Sequence, residues 1–346
     1  MPAYKHALQS LINLTDFTHL EMLFVMRQIM SGAFTPTQIA ALLIALRMKG
    51  ETVDEISAAA EVMRELASNV QLGDATHLID TCGTGGDGIQ TFNVSTACAF
   101  VAAAAGAKVA KHGGRSVSST CGSADVLEAL GANVKSTAEQ VARSVDQIGI
   151  GFMFAPNHHS AMKYAAPVRR ELGVRTLFNL LGPLTNPAGA KRQVMGVFDR
   201  ALTGKLAHVL QKLGSEHVLV VHGADGMDEI SFSGDTYIAE LKDGQVSEYV
   251  INPQLFGLPL HDVQGIRVQN AEESKHLILA VLSGQQDQPS YRAARDIVLL
   301  NAGAAIYVAG LVPDLAAGIK SAAQVIDNGA AINKLKQFTA LSQQAA

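Results

Sequence analysis

Leu78-Ile79-Asp80-Thr81-Cys82-Gly83-Thr84-Gly85-Gly86-Asp87-Gly88 runs from a short strand into a turn with four glycines in six positions. Glycines there free the backbone to aim several N–H groups into one concavity. An Ala-rich helix follows, Ser95 to Ala105, whose start adds partial positive charge to the same hollow. Downstream, Lys108-Val109-Ala110 is a second strand, ending at Lys111-His112-Gly113-Gly114-Arg115. A helix over Ala124 to Leu130 follows, then one capped by Ser136 and Glu139, then a strand from Ile148 to Phe154. Val194 to Phe198 and His217 to Val221 are further strands, separated by a helix from Leu202 to Leu213. This alternation predicts right-handed crossovers and a mostly parallel sheet. Tyr237 to Leu241 and Val246 to Val250 flank Asp243-Gly244, which predicts one antiparallel hairpin. From about Asn270 the chain returns to helices.

Upstream the texture differs. Thr35-Pro36-Thr37-Gln38 supplies an N-cap, a first-turn proline and a capping-box glutamine ahead of Ile39, Leu42, Leu43 and Leu46. Thr52-Val53-Asp54-Glu55 does the same ahead of Ile56, Ala60, Met63 and Leu66. Both segments carry a helical apolar stripe and no β-type alternation. The expectation is an α/β protein with a small all-helical domain over residues 1–75 and an α/β domain over 76–346, with a helical segment near 172–192 joining the first.

Composition narrows the classes. The 346 residues are 48% hydrophobic and 17% charged, which excludes general disorder. Lys+Arg 27 against Asp+Glu 31 gives −4, which argues against binding nucleic acid or an anionic membrane by bulk charge. The three cysteines form no CxxC pair, so no disulfide framework or zinc knuckle is expected and a reducing cytoplasm is the natural setting. The region before Asp16 has no signal-peptide core, and the longest apolar run, Ala97 to Ala107, is too short to span a bilayer.

The glycine loop suits a phosphate or diphosphate. It is not a P-loop, because no Lys-Ser/Thr pair follows Gly88, and the dinucleotide spacing fails. Lys111, His112 and Arg115 lie at the next strand end, where neighbouring parallel strands converge on one crevice. Ser116, Ser118, Ser119, Thr120 and Ser123 extend it with hydroxyl donors. Asp228-Glu229 follows another strand and suits magnesium, which takes a few carboxylates plus phosphate oxygens and water. Arg169, Arg170 and Arg175 are candidate carboxylate clamps. His158-His159 has no third ligand nearby, so one of the pair lining an acceptor pocket is favoured over zinc. Cys82 lacks an activating base and is read as a packing residue.

Taken in order, these motifs resemble the anthranilate phosphoribosyltransferases. The resemblance rests on Asp80 to Gly88, Thr91-Phe92-Asn93-Val94-Ser95-Thr96, Lys111-His112-Gly113, Gly122 to Gly131, Asn179 to Pro187, and Asp228-Glu229. It implies a nucleoside-phosphorylase-like fold, a homodimer formed through the helical domain, phosphoribosyl pyrophosphate and anthranilate as substrates, magnesium as cofactor, and a step of tryptophan biosynthesis. It places Gly83, Gly85, Gly86, Asp87, Thr91, Asn93, Ser95, Thr96, Lys111 and Ser123 on the donor. Gly83, His112, Gly114, Met162, Arg169 and Gly182 would contact anthranilate, and Ser95, Asp228 and Glu229 would serve magnesium. Lys111 and Asp87 are the candidates for a direct catalytic part. Two departures are visible. Gly114 stands where the family usually has asparagine, so an amide that would touch acceptor and ribose is replaced by a bare N–H. His158-His159-Ser160 departs from the usual His-Pro pattern.

Two other readings compete. A pyrimidine nucleoside phosphorylase shares the fold type, but Gly182 to Pro187 favours the anthranilate side. A non-enzymatic nucleic-acid-binding paralogue should carry a basic groove and a degraded metal site, against the net charge and the intact Asp228-Glu229 pair.

Overall fold

Seven strands form one sheet in the computed structural model, which describes residues 4–115 and 121–344. They are β1 (Leu78–Gly83), β2 (Lys108–Gly113), β3 (Ile150–Phe154), β4 (Arg192–Gly196), β5 (His217–Gly223), β6 (Thr236–Lys242) and β7 (Gln245–Ile251). The order is β3-β2-β1-β4-β5-β6-β7. The first five in that order pair in parallel, and β6 and β7 add two antiparallel edges. The chain moves outward from β1 through β2 and β3, then returns beside β1 with β4. The topological switch point therefore lies between β1 and β4, where open α/β sheets leave a crevice.

Local chemistry explains the elements. Thr35 and Thr52 close reciprocal capping boxes with Gln38 and Glu55, as the sequence predicts. Asp243 and Gly244 both take positive φ, 51° and 73°, the mirror-image turn that matches strand twist. Several boundaries shift: β1 runs on through Gly83, β3 begins at Ile150 rather than Ile148, β5 ends at Gly223 rather than Val221, and three further shifts bear on the site or its neighbours. β2 extends through Gly113, so Lys111 and His112 are strand residues rather than the loop after it. The helix Ala138–Ile148 is capped by Thr137 with Gln140, one residue beyond the expected Ser136 and Glu139. β4 begins at Arg192 and ends at Gly196, two residues early at both ends.

Helices cover both sheet faces. Val94–Ala104 and Pro289–Val308 fill one face, with Leu315–Asp327 and Ala330–Gln344 behind them. On the other face the N-terminal helices share a core with Leu202–Lys212 and with Ala165, Val168, Phe178, Leu181 and Leu184. Arg64 links these parts, donating to the carbonyls of Leu184 at 2.7 Å and Leu213 at 3.2 Å. No described helix is long and apolar enough to cross a membrane.

The helices Pro289–Val308 and Leu315–Asp327 meet through two glycines. A Cβ on Gly318 would lie 2.2 Å from the Gly303 carbonyl oxygen, and one on Gly303 would lie 2.7 Å from the Ile319 backbone nitrogen. Gly318→Ala is expected to cost about 1–3 kcal/mol by forcing these backbones apart. The urea midpoint should fall at unchanged slope; an unchanged midpoint would show that the helices separate freely.

Candidate functional site

The crevice is built at the ends of β1 and β4. Gly83 and Gly196 are register partners there. A Cβ on Gly83 would sit 2.4 Å from the Asp228 carboxylate, and one on Gly196 would sit 1.5 Å from the Asp228 carbonyl oxygen. Only glycine at both positions lets the loop after β5 lie across the switch point. Gly85 turns back with φ 65° and donates its N–H to Asp228 Oδ2 at 2.8 Å. Asp228-Glu229 is thereby brought onto the glycine loop from 143 residues away.

The remaining donor-side candidates gather around this point. Lys111 Nζ donates to Ser95 Oγ at 3.1 Å and to the Thr81 carbonyl. The Ser95 backbone N–H supports the Glu229 carboxylate. Thr96 donates to Ser123 Oγ at 3.3 Å. Asn93 is fixed by Ser274, whose hydroxyl donates to Asn93 Oδ1 at 2.7 Å and accepts from Asn93 N at 3.0 Å. Thr91 is held to one side in a bridge with Arg267. Ser116, Ser118, Ser119 and Thr120 lie outside the described residues.

Electrostatics mark the acidic corner as short of positive charge. Burial, then the neighbouring Asp87, pushes the Asp228 carboxyl up to about 7. Burial and Asp228 push Glu229 well above its usual range, with Lys111 opposing. Among the described residues no three His, Cys, Asp or Glu side chains form a metal cage. Two carboxylates with the Ser95 hydroxyl beside them fit a magnesium ion that draws its other ligands from water and phosphate. Cys82 is no nucleophile: burial raises its thiol, which takes a hydrogen bond from Gln193 at 3.0 Å.

The acceptor-side candidates surround buried imidazoles. His112 and His159 meet edge to face at 5.0 Å. His112 Nε2 and both nitrogens of His159 have no hydrogen-bond partner among the described residues. His158 is turned away, bonding the Ser68 carbonyl at 2.8 Å. Arg169 is half-buried over the Phe178 ring at 5.6 Å, and burial lowers its guanidinium below the usual range. Met162 packs on the helical core, and the Gly182 backbone faces His112. The carbonyl of Gly114 accepts from Ala124 N at 3.2 Å. No described atom lies within 4 Å of where its Cβ would be. The three arginines separate: Arg170 is exposed, and Arg175 bonds the Gly86 carbonyl instead of waiting for a carboxylate.

Several supporting residues escape sequence reasoning. Asn186 Nδ2 donates to buried Asp80 at 2.7 Å across 106 positions, and Ser274 reaches Asn93 across 181. Gly196 is one glycine among 31, with no local pattern to mark it.

The histidine burial has a measurable sign. Desolvation lowers His112 to about 3 and His159 to about 4, from 6.5. Below about 6.5 the unfolded imidazoles take up protons that the folded ones refuse, so stability is lost as pH falls from 6.5 toward about 4. Replacing both with glutamine should make the urea midpoint less pH-sensitive in that window. The same pH slope in variant and wild type would overturn the burial argument.

Comparison with known proteins agrees with this construction. A family model described as glycosyl transferase family, helical bundle domain, matches residues 5–67. Its companion, the a/b domain of the same family, matches 75–332. The anthranilate phosphoribosyltransferase of Methylobacillus flagellatus is 67% identical over 341 residues, 99% of this chain and 98% of its own length. That of Laribacter hongkongensis is 58% identical over the full length of both. The crystal structure of the Thermus thermophilus enzyme superposes with a TM-score of 0.91 at 41% identity, covering 97% of this chain and 99% of its own. That of Saccharomyces cerevisiae in complex with PRPP and Mg gives 0.83 at 28%, covering 94% and 92%. With its two glycine-paired strand ends and both family domains in place, the chain belongs to the anthranilate phosphoribosyltransferases.

Proposed function

We infer that this protein transfers the phosphoribosyl group of phosphoribosyl pyrophosphate to the amine of anthranilate, giving N-(5-phosphoribosyl)anthranilate and pyrophosphate, in tryptophan biosynthesis. The observation that carries this reading is the switch-point crevice, where the glycine loop, Lys111 and the Asp228-Glu229 corner converge. The relatives named above support it.

The chemistry asks for position and charge rather than a covalent nucleophile. Breaking the bond at ribose C1 builds positive charge on the sugar and negative charge on the departing pyrophosphate. The loop residues Gly83, Gly85, Gly86 and Asp87, with Thr91, Asn93, Ser95, Thr96, Lys111 and Ser123, take the donor. Ser95, Asp228 and Glu229 hold magnesium, which when bound supplies positive charge against the pyrophosphate. Arg169 faces the anthranilate carboxylate, while Gly83, His112, Gly114, Met162 and Gly182 line the ring. A buried neutral His112 offers the acceptor a surface without adding charge. Anthranilate's weakly basic amine is already unprotonated near neutrality, so no strong general base is needed.

The same reading carries the wider assignments. The helical domain comprises residues 1–75, joined by a helical segment near 172–192, and the α/β domain 76–346. Homodimerisation through the former accounts for large apolar side chains left exposed there: Ile12, Leu14, Leu20 and Met48 at 59, 69, 73 and 80%. The setting is the cytoplasm.

The direct test is loss of anthranilate fluorescence on adding phosphoribosyl pyrophosphate, with and without magnesium. No loss in either condition would refute the reading. Asp228→Asn and Glu229→Gln should each lower turnover about 100-fold and raise the magnesium concentration needed for half the maximal rate. An unaltered magnesium titration would remove both from the metal. Arg169→Ala should raise the Michaelis constant for anthranilate about 10- to 100-fold and leave that of the donor nearly unchanged. Equal effects on both substrates would undo the clamp.

A further inference from the structure

Of the two arginines that the proposed reaction leaves unused, Arg170 and Arg175, the second has surroundings that give it a task. Its guanidinium donates to the Gly86 carbonyl and lies 4.0 Å from the centre of the Phe198 ring. Phe198 is itself tied to the glycine loop, its N–H donating to Thr84 Oγ1 at 3.2 Å. Arg175 is exposed, so burial does not impose these contacts. It projects from the short linker between the helices Ala166–Leu172 and Phe178–Leu181, the segment that carries Arg169 and runs into Gly182. Among the described residues, this is the one hydrogen bond between that acceptor-side segment and loop residues 84–88.

The bond also sets the loop's direction. In a trans peptide the carbonyl of one residue and the N–H of the next point opposite ways. Gripping the Gly86 carbonyl therefore turns the Asp87 N–H away from Arg175. Gly85 and Gly86 take φ of 65° and 79°, and glycine, which has access to both signs of φ, leaves the loop's direction to such a restraint. A planar guanidinium suits it, combining a directed donor with a face that stacks on an aromatic ring.

We propose that Arg175 is a positioning residue that couples the two substrate sites, fastening the segment that holds anthranilate to the loop that holds the donor's diphosphate. The proposal rests on the donor and acceptor assignment given above. Because coupling is reciprocal, an anion that orders the loop must tighten anthranilate, and anthranilate must tighten the anion by the same factor.

The experiment titrates anthranilate binding by its own fluorescence, with and without magnesium pyrophosphate as the probe for the donor side. In the wild type, pyrophosphate should tighten anthranilate about 5-fold or more. In Arg175→Ala that factor should fall below about twofold, while affinity for anthranilate alone stays as it was. Arg175→Lys keeps a cationic donor and loses the planar stack, so it should retain an intermediate factor. A purely structural role would change the affinity for anthranilate alone. Undiminished tightening in Arg175→Ala, no tightening in the wild type, or lost anthranilate binding without pyrophosphate would each overturn the coupling. Absence of wild-type turnover with phosphoribosyl pyrophosphate would overturn the function and is read separately.

Discussion

The site depends on a close approach that no side chain could share: Asp228 resting its carboxylate on Gly83 and its peptide on Gly196 at the ends of two adjacent parallel strands. This contact puts two neighbouring carboxylates against a glycine loop at the switch point, where the sheet already leaves room for a ligand. Once there, burial and neighbouring carboxylates, Asp87 for Asp228 and Asp228 for Glu229, hold their protons on, and Lys111 answers Glu229 with positive charge. The corner is thus poised for a divalent ion and an anion together, each making the other's presence favourable. A methyl group at either glycine would lift the acidic loop and dissolve that arrangement. The electrostatics follow from the packing.

A second constraint governs the acceptor side, where charge is kept out. His112 and His159 are buried with unpartnered nitrogens, and their low pKa values make them neutral throughout the physiological range. Arg169 brings the one cation of the proposed anthranilate contacts. Its half-burial over Phe178 strips it of water, so a carboxylate arriving there meets a guanidinium with few competing partners. The proposed donor and acceptor sides accordingly differ in kind: dense polar donors that suit a multiply charged diphosphate, and sparse charge with aromatic edges that suit a flat ring acid.

The fold was largely legible in the sequence because its signals are local. Capping boxes at Thr35 and Thr52, the Asp243-Gly244 turn and the strand–glycine–helix opening depend on residues within a few positions of one another. Boundaries moved where a local rule had a rival. Thr137 outcompeted Ser136 as a cap because Gln140 completes its box, and β2 ran on through Gly113 because β3 offers it partners as far as Phe154. The named site residues were legible as chemical types, through motifs in sequence order. Their supports were not. Ser274 and Gly196 have nothing adjacent in the chain to mark the role, and Asn186, although inside the Asn179 to Pro187 motif, reaches a partner that the motif does not reveal. Arg175 stands among the three candidate clamps in the sequence for the same reason: the partner it has in the fold is a backbone carbonyl far away in sequence, which carries no side-chain signature.

These long-range supports share a purpose. The acceptor-side segment leaves the sheet after β3 and returns to it at β4, so it could swing on its two ends. Near its return, Asn186 pins it, donating from one amide to buried Asp80 in β1 at 2.7 Å and to the Ala110 carbonyl in β2 at 2.9 Å. Asp80 also accepts the His112 N–H at 3.2 Å, so the same carboxylate ties β1, β2 and the segment's end into one unit. Breaking a buried, multiply bonded carboxylate of this kind is costly, which makes this end rigid. The contacts of Arg175 are of the opposite kind: exposed and made with a mobile type of side chain to a glycine loop. A segment fixed firmly at one end and held lightly in its middle can respond to what occupies the loop without losing its register on the sheet. That contrast in burial, more than any difference in residue type, separates the part of the site that must stay still from the part that can report ligand to ligand.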